Sequence, residues 1–224
     1  MESRVELKFL INYEDYIQLS RQLKILMDVD PHATKDNGYH LSSLYFDDMY
    51  DSGTYDKADG VEFHRKFRIR TYENGKSQLE YKTKNQNITT KDILPLDKIL
   101  EEALIKRDFK KLKENLDKTL IKQIFVKMKL NNMKQALYID YFREAYVFLK
   151  DDIRITFDKD ILVYNCYNKN IKYKVLEPRK VILEVKYRKT FPDFIRKVVL
   201  SKKHITIPYS KYFMGWLKLT NRGV

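Results

Sequence analysis

Between Phe63 and Lys84 the chain alternates polar and apolar residues on either side of a turn signal. Lys66, Arg68 and Arg70 share one side of the first run, and Phe67 and Ile69 share the other. Glu80, Lys82 and Lys84 share one side of the second, opposite Leu79 and Tyr81. Side chains two apart in a strand point the same way, so the pattern predicts two strands. Glu73-Asn74-Gly75-Lys76 predicts the turn of a hairpin, because Asn-Gly tolerates positive φ at little steric cost. The hairpin has an apolar face and a face crowded with cations and one carboxylate.

The same period recurs along the chain. Arg4, Glu6 and Lys8 alternate with Val5, Leu7 and Phe9. Arg154, Thr156 and Asp158 alternate with Ile153, Ile155 and Phe157, and Glu184, Lys186 and Arg188 with Leu183, Val185 and Tyr187. Tyr141 and Arg143 share a face of the long run that follows Gln135, and Tyr39–Phe46 reads as a further strand ending in the acidic turn Asp47-Asp48. Helical spacing takes over in Tyr13–Met27, where Tyr16, Leu19, Leu23, Leu26 and Met27 form an apolar stripe and Asn12 is the candidate cap. It returns in two or three helices between Leu96 and about Met133, with a lysine-rich outer face, in a helix from Pro192 to about Ser201, and in a last helix, YSKYFMGWLKL. Asn85–Thr90 and Tyr164–Lys174 read as loops, Met49–Gly60 as a short helix or irregular link, and His204–Ile207 as a short strand.

Composition narrows the class. The 224 residues are 43% hydrophobic and low in Gly and Pro, which predicts a real core in one domain spanning 1–224. The net charge of +13 points to anionic partners: polyphosphate, nucleotides, nucleic acid or an acidic membrane surface. Cys166 is the single cysteine, which excludes an intrachain disulfide and a cysteine-based metal site, and fits a reducing compartment. The N-terminus has no signal-peptide pattern and no apolar run approaches the ~20 residues of a membrane span, so the expectation is a cytoplasmic protein without a transmembrane segment.

If the alternating segments form one antiparallel sheet, one face is ionic and the other apolar. The helices cover the apolar face, and closing the sheet into a barrel points the ionic face into a lumen. Burying an unpaired charge costs several kcal/mol per ion, on the order of a whole hydrogen bond or more. Such a lumen stays hydrated or holds an anion with several negative charges. Arg suits phosphate bidentately and Lys as a point charge, and carboxylates beside a triphosphate suit Mg²⁺ or Mn²⁺. Glycine-rich phosphate loops are absent from the sequence, and the four histidines (His32, His40, His64, His204) lack zinc spacing.

These residues resemble a known family. Glu6-Leu7-Lys8 resembles the Glu-x-Lys signature of the triphosphate tunnel metalloenzymes, or CYTH superfamily. SLYFD (Ser43–Asp47), RKFRIRTY (Arg65–Tyr72), LEYKTK (Leu79–Lys84), DYFREAY (Asp140–Tyr146), IRITFD (Ile153–Asp158), ILEVKY (Ile182–Tyr187) and PYSKYFMG (Pro208–Gly215) resemble, in the same order, the VTC domain. That is the polyphosphate polymerase domain of the vacuolar transporter chaperone complex. The resemblance implies an α+β fold, an antiparallel eight-stranded closed β-barrel with helices packed outside. It implies transfer of the γ-phosphate of ATP to a growing polyphosphate chain, with Mn²⁺ or Mg²⁺. It places Arg68, Arg70, Arg143 and Lys82 in catalysis, and Lys8, Lys84, Tyr141, Arg154, Lys186, Ser210 and Lys211 on phosphates. Glu184 is implied as a metal ligand, with Glu6 and Glu80 as metal-side residues or as partners that fix the cations. The sequence carries neither an SPX domain nor membrane helices, so the expectation is action in solution or through a membrane-protein partner.

Two rival readings share the basic face. A metal-dependent triphosphatase uses the same grip on phosphates but needs a carboxylate to orient water. A non-enzymatic polyphosphate or nucleotide binding module uses the grip alone. Nucleic acid is disfavoured as a partner, because tyrosines such as Tyr81 and Tyr187 sit at core-facing parity and not where bases would stack.

Overall fold

The structure is a computed structural model, and it describes residues 5–34, 37–54, 63–85, 88–188, 191–200 and 206–220. In chain order the elements are β1 (Val5–Asn12), α1 (Tyr13–Leu26), β2 (Asp28–Val29), β3 (Gly38–Asp47), β4 (Phe63–Tyr72), β5 (Ser77–Asn85) and β6 (Ile88–Leu96). Then come α2 (Lys98–Lys106), α3 (Phe109–Lys113), α4 (Thr119–Leu130), β7 (Lys134–Phe148) and β8 (Ile153–Asn165). The chain closes with β9 (Tyr173–Lys174), β10 (Lys180–Tyr187), α5 (Asp193–Val199) and α6 (Lys211–Leu219). Arg4, His204 and residues 55–60 of the 49–60 link lie outside the described residues.

The chain divides into two compact units. The first comprises Met1–His40, Asp140–Leu162 and Lys174–Ser210. Here β1 pairs with β10 and β10 with β8, all antiparallel. Phe9, Ile11, Ile155, Phe157, Leu183 and Val185 fall on one face and pack against Tyr16, Leu19 and Leu23 of α1 and Ile195 and Val199 of α5. Each such side chain removed from water contributes about 1.5–3 kcal/mol, which is why the alternation decides the register. Glu144 on β7 adds a polar tether beneath α1. Its carboxylate accepts from the Tyr16 hydroxyl at 2.6 Å, from Ser20 Oγ at 2.5 Å and from the Tyr146 hydroxyl. Asn12 stands at the helix N-cap, but its side chain takes a bond from Lys180 Nζ and caps no helix N–H.

The second unit comprises Leu41–Ile139, Val163–Tyr173 and Lys211–Val224. The hairpin β4–β5 forms in the register that its parity demands, with Lys66 opposite Lys82, Arg68 opposite Glu80 and Arg70 opposite Gln78. Its turn is wider than a two-residue Asn-Gly turn, and Gly75 alone within it takes positive φ, at 79°. Leu44, Phe46, Phe67, Ile69, Leu79 and Tyr81 face the stripe Leu100, Ala103, Leu104, Leu112, Leu120, Ile121, Ile124 and Met128 of α2–α4. The helix starts are capped by Asp97, which accepts from Leu100 N, and Asp108, which accepts from Lys110 N and Lys111 N.

The expected closed eight-stranded barrel is not what forms. The sheet has ten strands in the order β1-β10-β8-β7-β3-β4-β5-β6, with β2 on β7 and β9 on β8. β1 and β6 end that order and do not pair with each other, so the antiparallel sheet is open among the described residues. The outer edge of β1 is taken by Thr206 and Ile207, whose N–H reaches Lys8 O at 2.9 Å. The β6 edge carries Lys91, Asp92 and Pro95, and a proline has no N–H to offer a further strand. The α+β class stands; the closure does not.

Candidate functional site

The ionic face of the first unit is built in rows, because residues in register on neighbouring antiparallel strands project to the same side. One row is Lys8, Glu184 and Thr156, on β1, β10 and β8; the next is Glu6, Lys186 and Arg154. Lys8 Nζ lies 2.9 Å from Glu6 and 3.6 Å from Glu184. Lys186 Nζ lies 3.1 Å from Glu184 and 3.9 Å from Glu6. Arg143 donates bidentately to Asp158 at 2.6 and 2.8 Å, and its Nη2 stands 3.9 Å from Glu184. Tyr141 offers its ring to the same guanidinium at 5.3 Å. Burial works against ionised Glu184, but Lys186, Lys8 and Arg143 outweigh it and hold the carboxyl well below its ordinary range. Burial and the Glu184 charge oppose ionised Glu6, and Lys186 and Lys8 still bring it below its usual value. Arg143 is buried, which disfavours its charge, yet Asp158 holds it firmly protonated.

The second unit centres on one carboxylate. Glu80 is 1% exposed, and Arg68 reaches it through Nε at 2.6 Å and Nη2 at 2.5 Å. Arg70 Nη1 stands 3.3 Å away, Lys91 Nζ 2.7 Å and Gln78 Nε2 2.7 Å. Burial raises the Glu80 pKa, and Arg68, Arg70 and Lys91 together overturn that and hold it far below the carboxylate range. Arg68 also donates to the Tyr45 hydroxyl at 2.9 Å. Lys66, Lys82 and Lys91 stand in register on β4, β5 and β6, so three ammonium groups share one row. Lys66 Nζ lies 5.0 Å above the ring of Tyr212, whose hydroxyl donates to the buried carboxylate of Asp47.

Thus Lys8, Lys186, Arg143, Tyr141, Glu184 and Glu6 come together in the first unit, and Arg68, Arg70, Lys82 and Glu80 in the second. Arg154 belongs to the first but turns to Asp30 at 2.6 Å and to the Tyr39 hydroxyl at 2.9 Å. Ser210 is half-buried and ends the first unit's last segment; Lys211 is half-buried and opens α6 of the second. Lys84 is exposed near the end of β5. Sequence reasoning missed Lys91, Asp158 as the partner of Arg143, and the Asp47–Tyr212 pair. Asp158 shares parity with Arg154 in IRITFD, a signal that was present. Lys91 had none, because its segment lacks a two-residue apolar period.

The donor set fits a magnesium-like ion. Among the described residues no group of three His, Cys, Asp or Glu forms a cage. Mg²⁺ characteristically takes one or two carboxylates and completes its shell with water and substrate phosphates. Glu6 and Glu184, neighbouring carboxyl groups both held below their ordinary range, supply that pair.

Comparison with known proteins now bears on these clusters. The family model described as the VTC domain matches residues 3–220. Comparison with curated proteins gave no match. Among solved structures, a Bacillus halodurans protein provisionally named an adenylate cyclase is 12% identical, with a TM-score of 0.54 over 93% of this chain and 94% of its own. The two share a fold. A chain of the Schizosaccharomyces pombe Mediator head module, 10% identical, scores 0.49 over 91% and 97%. A Pyrococcus horikoshii protein, 15% identical, scores 0.46 over 94% and 97%.

Proposed function

The chain belongs to the VTC domain family, and with it to the triphosphate tunnel group, and on that footing we propose that it transfers the γ-phosphoryl group of ATP to a polyphosphate chain. The observation that carries this reading is the row Lys66, Lys82 and Lys91. Like charges directly opposite on neighbouring strands are destabilising by themselves, and a chain of phosphates is the ligand that turns their repulsion into a grip.

In this reading an oxygen of the acceptor's terminal phosphate attacks the γ-phosphorus. The bond from that phosphorus to the bridging oxygen breaks, ADP leaves, and the polymer is one unit longer. Such a transfer needs positioning and charge neutralisation more than covalent participation. Each unit offers guanidinium groups already aligned for phosphoryl oxygens, Arg143 by Asp158 in the first and Arg68 and Arg70 by Glu80 in the second. Lys8 and Lys186 in the first unit, and Lys82 in the second, are phosphate-holding cations. Glu184 and Glu6 would hold Mg²⁺ or Mn²⁺, which neutralises charge on phosphate oxygens when bound.

Transfer is favoured over hydrolysis by the state of the carboxylates. Glu184 and Glu80 are both held far below their ordinary range by adjacent cations, which makes them weak bases towards water. An anionic phosphate acceptor needs no base. Incubation with ATP and Mn²⁺, with products sized on a gel, decides the matter. Long polyphosphate with ADP is the expected product; orthophosphate alone would make the protein a triphosphatase, and binding without turnover a receptor. Among the described residues no helix is long and apolar enough to cross a membrane.

A further inference from the structure

Buried polar atoms are almost always hydrogen-bonded, and each exception costs the fold stability. Two exceptions lie in the first unit's charged cluster. Thr156 Oγ1 and the Tyr209 hydroxyl are buried, and neither meets a hydrogen-bond partner among the described residues. Thr156 is 2% exposed. It stands in register with Glu184, itself in register with Lys8, so it projects from the ionic face in the row that carries those charges. Arg154 and Asp158 flank it on the same side of β8. Tyr209 approaches from the segment before α6, where its carbonyl accepts from Lys8 Nζ at 3.0 Å. Burial and the nearby Asp158 carboxylate keep its phenol protonated, above the ordinary range. Both groups are therefore donors without a partner among the described residues, set among Lys8, Glu184 and Asp158.

A threonine that served packing alone would gain from replacement by valine, which has the same shape, suits a strand and leaves no hydroxyl to desolvate. We infer that Thr156 and Tyr209 are ligand-facing donors, whose hydroxyls bond phosphate oxygens of the bound triphosphate or polyphosphate. The inference rests on the function proposed above and extends the phosphate site to two residues outside the charged set. The free protein carries the cost of the unpaired hydroxyls, and the bound phosphates relieve it.

The test is calorimetric titration of inorganic triphosphate, with and without Mg²⁺, into wild type, Thr156→Val, Thr156→Ser and Tyr209→Phe, together with melting temperatures of each. Thr156→Val is expected to melt at or above wild type without ligand, to bind about tenfold more weakly, and to gain less stability from triphosphate. Thr156→Ser restores the affinity, and Tyr209→Phe weakens binding in the same direction. Wild-type affinity in Thr156→Val overturns the inference for Thr156, and wild-type affinity in Tyr209→Phe overturns it for Tyr209. Wild-type protein that fails to bind triphosphate in either buffer defeats the functional reading and this inference together.

Discussion

The two units solve one electrostatic problem in opposite ways. In the first, Lys8, Lys186 and Arg143 meet three carboxylates, Glu6, Glu184 and Asp158, and the cluster is close to neutral. In the second, Arg68, Arg70 and Lys91 converge on Glu80, with Lys66 and Lys82 in the neighbouring row. A balanced cluster can trade a lysine for a metal ion on its carboxylates. A cluster in which Arg68, Arg70 and Lys91 share Glu80 cannot give that carboxylate up, and its net positive charge suits phosphates. The difference teaches that Glu184 and Glu80, which look alike in sequence as lone acids on cationic strands, sit in different surroundings: under the proposed function one would receive metal, while the other aligns guanidinium groups.

The largest effect should come from the first unit's buried pair. Arg143→Ala should lower turnover by at least about a hundredfold and also lower the melting temperature, because Asp158 is left buried and unpaired at a cost of about 3–5 kcal/mol. The double variant with Asp158→Ala should recover the melting temperature and not the activity. Full activity in the double variant would remove Arg143 from catalysis. Next, Glu184→Gln should move the metal titration by about tenfold or more, whereas Glu80→Gln should leave the metal midpoint in place and raise the KM for ATP. Equal metal shifts in the two variants would erase the distinction between the units.

The smallest effect tests the second unit's surplus by pH. Burial, opposed by Glu80 and reinforced by Arg70 and Arg68, brings the Lys91 amine down to about 8. It should therefore be charged below that pH and neutral above it, and KM for a phosphate chain should rise between about pH 7 and 9 in wild type but not in Lys91→Ala. Since its folded pKa lies below the unfolded 10.5, the native state releases this proton first. Its contribution to stability accordingly grows as pH rises from about 8 to 10.5. Lysine side-chain NMR reads the pKa directly, and a titration near the unfolded value would refute the argument.

Parity made the hairpin β4–β5 legible, and with it the faces of Arg68, Arg70 and Glu80, because a one-residue slip would expose Phe67 and Leu79. The same logic found β1, β8 and β10. It failed for β6, whose run ITTKDILPL has no clean alternation; an edge strand with a proline and charges is selected against pairing and not for burial. It failed for closure, since alternation fixes which face is apolar and says nothing about whether two edges meet. It placed Arg154 in the row of Lys186 but could not name its partner Asp30, which lies more than a hundred residues away in a segment with no strand period of its own.

Glu144 shows how far the chemistry reaches into the scaffold. It follows Arg143 on the same strand and points to the opposite side, where Tyr16, Ser20 and Tyr146 hold it. The strand that carries the guanidinium is thus held from behind by α1. If the proposed phosphoryl transfer holds, variation along the inner stripe of α1 should detune it without altering a single charge on the ionic face, and a survey of inactive variants should look there as well as among the arginines.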